Sequence, residues 1–179
     1  MRRTIFESLL KAPLTEQPPR PDEAEIAELS RKLETAARAK LGRSLSIRQV
    51  DAGSCNGCEL EIHALSNPFY DLERLGLRFV ASPRHADVLL VTGPVTKNMS
   101  EALLRTYQAT PSPKWVVAAG DCAADGGLFC GSYACVGGVS AVLPVDLRIP
   151  GCPPSPRALL AGLIALMTTA AARHGDRPA

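Results

Sequence analysis

From residue 44 onward, short apolar runs of strand length alternate with stretches of helical pattern. This rhythm restricts the fold more than any other feature of the chain. Residues 86–93 (Ala-Asp-Val-Leu-Leu-Val-Thr-Gly) and 115–120 (Trp-Val-Val-Ala-Ala-Gly) are nearly continuous in apolar side chains, as strands covered on both faces are. Residues 45–50, 77–80 and 145–149 read as three further strands. Between them, residues 59–65, 69–75 and 98–108 read as helix or helical turns, with Asn67-Pro68 and Gly76 as breaks. Ser155 can cap a last helix that has Pro156 at its first position and runs to about Arg173. Residues 125–138 read as a glycine-rich loop. Strands alternating with helices imply a mostly parallel sheet with helices on both faces. The expected class is therefore α/β, with a flavodoxin-like strand order and no internal repeat.

The preceding residues have a different character. Residues 1–13 are weakly amphipathic, with Ile5, Phe6, Leu9 and Leu10 set against Arg2, Arg3, Glu7 and Lys11. They read either as a frayed terminus or as a docking helix. Pro13, Pro18, Pro19 and Pro21 mark residues 12–21 as an extended linker. Residues 22–41 predict a helix. Asp22 can cap it, Glu23, Glu25 and Glu28 suit its N-terminal end, and Gly42 stops it. Residues 1–43 thus form an arm, and residues 44–179 form the folded domain.

The domain's cysteines carry the chemistry. The chain has six in 179 residues. A secreted disulfide framework is one explanation, but Arg2-Arg3 is followed by Glu7 and Lys11 instead of an uninterrupted apolar stretch, so neither a secretion signal nor a twin-arginine signal fits. The expectation is a cytoplasmic setting, where thiols stay reduced or bind metal. The most apolar run, residues 158–172, is shorter than the roughly 20 residues a membrane-spanning helix needs. A net charge of +2 gives no argument for a nucleic-acid partner.

Cys55 and Cys58 form a Cys-x-x-Cys pair directly after the strand at 45–50. Cys122 follows the strand at 115–120, and Cys152 follows the strand at 145–149. In a parallel sheet those strand ends lie on one side, where open α/β sheets bind their ligands. Loops remote in sequence would therefore deliver four thiolates to one crevice. Four thiolates suit zinc or an iron–sulfur cluster. Structural zinc usually has a second close-spaced pair, whereas Cys122 and Cys152 are singletons, which favours a cluster. Gly53, Gly57, Gly120 and Gly151 flank the ligands and permit close backbone approach. A thioredoxin-like redox pair at Cys55 and Cys58 would leave Cys122 and Cys152 unexplained. Cys130 and Cys135 read first as small apolar residues, with extra ligands or a redox pair as the alternatives.

Several motifs together resemble a known family. They are Ser-Cys-Asn-Gly-Cys-Glu-Leu-Glu at 54–61, Thr-Gly-Pro-Val-Thr at 92–96, Gly-Asp-Cys-Ala at 120–123 with Gly126-Gly127, and Gly-Cys-Pro-Pro at 151–154. They look like the small subunit of group 4 energy-converting [NiFe] hydrogenases, of the formate hydrogenlyase and hydrogenase-4 type. The 20 kDa subunit of respiratory complex I belongs to the same family. The likeness covers roughly residues 44–172 and leaves out residues 1–43.

The resemblance implies one [4Fe–4S] cluster on Cys55, Cys58, Cys122 and Cys152. It also implies electron transfer beside the active site of a [NiFe] hydrogenase-like large subunit. Electrons would pass on to a ferredoxin-like iron–sulfur subunit. Integral membrane subunits would hold the complex on the inner face of the cell membrane. No catalytic residue is implied in this chain itself. Complex I relatives carry the first two cysteines adjacent; the two-residue spacing here points toward hydrogenases. Glu59 and Glu61 are candidates for a proton relay or a subunit interface, or simply first-turn helix acids. A complex I-like or hydrogenase-related subunit whose partner lacks nickel–iron is one alternative. A zinc or dithiol scaffold without electron transfer is another.

Overall fold

The computed structural model describes Glu28, Arg31, Lys32, Thr35 and residues 44–173, with side chains up to residue 167. Of the helix expected at 22–41, the described residues are helical. Lys32 bonds Glu28 one turn back at 2.7 Å, and Thr35 Oγ1 donates to the Arg31 carbonyl at 2.8 Å. The remainder of that expectation, and those for residues 1–21, lie outside the described residues.

The body contains strands β1 (Leu45–Asp51), β2 (Leu77–Phe79), β3 (Val88–Thr92), β4 (Val95–Thr96), β5 (Trp115–Ala119), β6 (Cys135–Gly137) and β7 (Leu147–Ile149). Its helices are α1 (Gly57–Ala64), α2 (Lys97–Ala109), α3 (Asp121–Asp125) and α4 (Pro156–Arg173). Five strands form one sheet in the order β2-β1-β3-β5-β7, and every pairing in it is parallel. Numbered by their turn in the chain, the sheet strands run 2-1-3-4-5, the flavodoxin arrangement.

Alternate side chains along each strand enter opposite layers. Val88 and Leu90 of β3, with Val117 and Ala119 of β5, face Ile62 of α1 and Leu159, Leu160, Leu163 and Met167 of α4. Leu89, Val91, Val116 and Ala118 face Leu103 of α2, Ala123 of α3, Val139 and Leu143. Each fully buried leucine in these layers contributes about 1.5–3 kcal/mol. Asp87, 6% exposed, accepts the Ser46 N–H at 2.9 Å and so satisfies the start of β1 where the ladder begins.

The register aligns the strand ends. Asp51 of β1 stands opposite Thr92 of β3, Thr92 opposite Ala119 of β5, and Ala119 opposite Ile149 of β7. Four loops therefore leave the sheet from one straight row.

Three local expectations change. The turn at 69–75 narrows to a 3₁₀ segment, Leu72–Leu75, because Asn67 Oδ1 accepts from the Phe69 and Tyr70 N–H groups and holds the chain in a turn. The last strand is shorter than 145–149: the Asp146 N–H still bonds the Val116 carbonyl at 2.9 Å, but the Val116 N–H goes to the Asp146 carboxylate at 2.9 Å instead of to backbone. The glycine-rich loop is also more ordered than its composition suggests. It contains the 3₁₀ segment Gly127–Phe129 and strand β6, which pairs antiparallel with β4.

Candidate metal centre

The loop after β1 is built by the last residue of the strand. Asp51 Oδ1 accepts the N–H groups of Gly53 and Ser54, both at 2.7 Å. Ser54 Oγ accepts the Asn56 N–H at 3.2 Å, and Asn56 adopts a left-handed backbone, φ 70°, from which α1 starts. Thr96 anchors this loop from the side, giving its N–H and its hydroxyl to the Ala52 carbonyl at 2.9 and 3.1 Å. Cys55 and Cys58 are thereby presented at the start of α1.

The loops after β5 and β7 are tied to each other. The Asp121 N–H donates to the Gly151 carbonyl at 2.9 Å, and the Gly151 N–H donates back to Asp121 Oδ1 at 2.8 Å. Gly120 touches all three loops at once. It has φ +91°, and a Cβ placed on it would stand 2.7 Å from Cys58 Sγ and 3.3 Å from the Gly151 carbonyl oxygen. A Cβ at Gly127 would stand 2.9 Å from Cys122 Sγ. Residue 57, inside the Cys-x-x-Cys pair, lies against Pro153, next to Cys152.

The structure brings the four sequence-selected cysteines into electrostatic reach of one another. Cys58 is buried, Cys122 half-buried, and Cys55 and Cys152 exposed. Burial is the main cause that pushes the Cys58 thiol up to about 11, with further pushes from the negative charges of Glu59, Cys122, Cys55 and Cys152. Burial also raises Cys122. The backbone N–H of Leu128 bonds its sulfur and opposes that rise, while Cys152, Cys55 and Asp121 add to it. Both shifts, at Cys58 and at Cys122, favour the neutral thiol, and a cation beside these sulfurs would act in the opposite sense. Among the described residues, no group of three or more His, Cys, Asp or Glu side chains is drawn together tightly enough to hold a single metal ion.

A measurable consequence concerns reactivity. At pH 8, a thiol at about 11 is thiolate to only about one part in a thousand, and Cys58 is also buried. Iodoacetamide at pH 8 is expected to modify the exposed Cys130 of the metal-free chain well before Cys58. Peptide mass spectrometry over time reads the order, and modification of Cys58 first would contradict it.

The other candidates are placed as follows. Glu59 is 7% exposed, and neither carboxylate oxygen has a hydrogen-bond partner among the described residues. Glu61 is half-buried on α1. His63 is exposed and lines a cleft of about 340 Å³ with Arg48, Gln49, Ser66 and Phe79. Cys130 is exposed and Cys135 half-buried in β6; neither is among the groups acting on Cys58 or Cys122. The sequence motifs at 92–96 and 120–123 contain Thr96 and Asp121 but assign them no role, and Asp51 lies outside the motifs. The Asp-Ala-Gly-Ser run at 51–54 carries an Asx-turn signal that could have found Asp51. The other two work through residues remote in the chain.

Comparison with known proteins places the chain in a family. Residues 55–166 match the family described as NADH ubiquinone oxidoreductase, 20 kDa subunit. The chain is 49% identical over 123 residues to formate hydrogenlyase subunit 7 of Escherichia coli, a match covering 69% of this chain and 48% of that protein. It thus spans about half the length of that relative. It is 48% identical over 124 residues to the probable membrane-bound hydrogenase subunit mbhJ of Pyrococcus furiosus, covering 69% of this chain and 74% of the relative. Among solved structures, a chain of the membrane-bound sulfane sulfur reductase, an archaeal respiratory membrane complex, superposes with a TM-score of 0.66 at 34% identity. That match covers 80% of this chain and 77% of the other. With the family match extending over more than half its length, the chain belongs to the NADH ubiquinone oxidoreductase 20 kDa subunit family of oxidoreductase subunits, among whose members similar to it are hydrogenase subunits.

Proposed function

We propose that this protein is an electron-transfer subunit of a membrane-associated [NiFe] hydrogenase-like complex and holds one [4Fe–4S] cluster on Cys55, Cys58, Cys122 and Cys152. The carrying observation is the row of strand ends at Asp51, Thr92, Ala119 and Ile149, which sends the three cysteine loops out side by side. The donor set fits such a group. Gly120 leaves room beside the Cys58 sulfur and Gly127 beside the Cys122 sulfur, and Leu128 supplies an N–H to Cys122 Sγ. A cubane cluster spreads its thiolates wider than a tetrahedral zinc with Zn–S bonds of about 2.3 Å. Cys122 and Cys152, single cysteines on separate loops, suit the larger group better than the close-spaced second pair usual for structural zinc.

A cluster bound there supplies one-electron chemistry, and the protein supplies its position, burial and hydrogen bonds. Cys58 and Cys122 would hold its inner side and Cys55 and Cys152 its open side. Leu60, Leu128, Phe129 and Tyr133 are exposed by 62%, 88%, 42% and 90%. Apolar side chains so exposed around α1 and the segment after Cys122 suit coverage by a protein partner. That partner would be the large subunit, where bond making occurs. A ferredoxin-like subunit would take the electrons onward, and integral membrane subunits would hold the assembly on the inner membrane face. Among the described residues no helix is long and apolar enough to cross a membrane, which fits a peripheral position.

The likeness to a sulfane sulfur reductase complex favours one further reading, a partner that does not activate hydrogen. Metal analysis and low-temperature EPR of the purified native complex separate these. Iron with a reduced-cluster signal, together with nickel, is the expected result. Iron without nickel supports the second reading. One zinc per chain with no iron signal overturns the cluster.

A further inference from the structure

We propose that Asp121 is a positioning residue that clamps the Cys122 loop to the Cys152 loop and whose charge lowers the reduction potential of the group they hold. The proposal rests on the four-cysteine reading above.

The clamp begins where the sheet ends. The β5–β7 ladder continues to Gly120, whose N–H donates to the Ile149 carbonyl at 2.8 Å. Beyond it β5 turns into α3, and the Gly120 carbonyl is taken by the Ala124 N–H at 3.0 Å. The Gly151 N–H is instead received by Asp121 Oδ1 at 2.8 Å, while the Asp121 N–H bonds the Gly151 carbonyl at 2.9 Å. Two antiparallel bonds between one pair of residues fix separation and rotation together. One residue of the pair immediately precedes Cys122 and the other immediately precedes Cys152. The clamp therefore sets the spacing of two ligands that the chain itself leaves 30 residues apart.

The choice of side chain has a second effect. A backbone-like acceptor would suffice for the bond, but a carboxylate also places a negative charge one residue from Cys122. Adding an electron to an iron–sulfur group is opposed by nearby negative charge, so the carboxylate depresses its potential.

The two roles separate by substitution. Asp121→Asn keeps an oxygen acceptor at Oδ1 and removes the charge; Asp121→Ala removes both. Wild-type and variant full-length chains are loaded anaerobically with ferrous iron and sulfide, assayed for iron, and titrated by EPR, with far-UV circular dichroism as the check on folding. Asp121→Asn is expected to hold wild-type iron with its midpoint potential shifted upward. Asp121→Ala is expected to lose most of its iron. An iron-loaded Asp121→Asn with an unshifted potential overturns the charge role. An Asp121→Ala with wild-type iron and an unchanged EPR line shape overturns the clamp. Wild-type protein that takes up no iron overturns the four-cysteine reading itself, an outcome distinct from either.

Discussion

Cys152→Ser is expected to abolish cluster binding, while Cys130→Ser leaves it intact. Both cysteines are exposed, so neither substitution opens a core cavity and both variants fold. They differ in what surrounds them. Cys152 acts electrostatically on Cys58 and on Cys122, and its loop is tied to Asp121 through Gly151. Cys130 acts on neither of those sulfurs. A serine hydroxyl stays protonated at neutral pH and is a poor ligand for iron, whereas a cluster needs a thiolate at each corner. After identical anaerobic loading, Cys152→Ser should lose the reduced-state EPR signal and most of its iron, and Cys130→Ser should match the wild type. Equal loss in both would mean that the ligands are misassigned.

Gly120→Ala is expected to damage both stability and iron uptake. Gly120 has φ +91° and ψ 159°, a region open essentially only to glycine, and placing another residue there costs on the order of 1–3 kcal/mol. Its added Cβ would also stand 2.7 Å from Cys58 Sγ, so the sulfur must move off its position. Gly131→Ala provides the control. Gly131 has φ +81°, yet a Cβ there meets nothing within 4 Å. Both variants should shift the urea midpoint downward through backbone strain, and only Gly120→Ala should also lose iron. Wild-type iron content in Gly120→Ala would show that contact with Cys58 does not govern the site.

Much of this fold was legible in the chain. The apolar runs at 86–93 and 115–120 announce doubly covered strands, and β3 and β5 both lie inside the sheet, β3 at its centre. Ser155 and Pro156 mark the start of α4, where Ser155 Oγ accepts the Ala158 N–H at 3.3 Å. Strands β4 and β6 were not legible. At two and three residues they are too short for periodicity to register, and their pairing joins residues about 40 positions apart, Val95 with Gly137. For Glu59 the sequence offers a proton-relay or interface role or that of a plain first-turn helix acid. Its helix position says nothing of its 7% exposure, which follows from how α1 packs.

By itself, the sequence determined the α/β class, the five sheet strands and the placement of four cysteines just after strand ends. These depend on side-chain periodicity and turn chemistry within a few residues, which the local chain carries. Only the tertiary structure decided that Asp51, Thr92, Ala119 and Ile149 end in one row, that Asp121 and Gly151 clasp, and that Cys58 is buried while Cys55 and Cys152 stay open. Register, inter-loop hydrogen bonds and burial are properties of pairs of segments. They come into being when parallel strands distant in the chain align, and that alignment makes three separate loops one site.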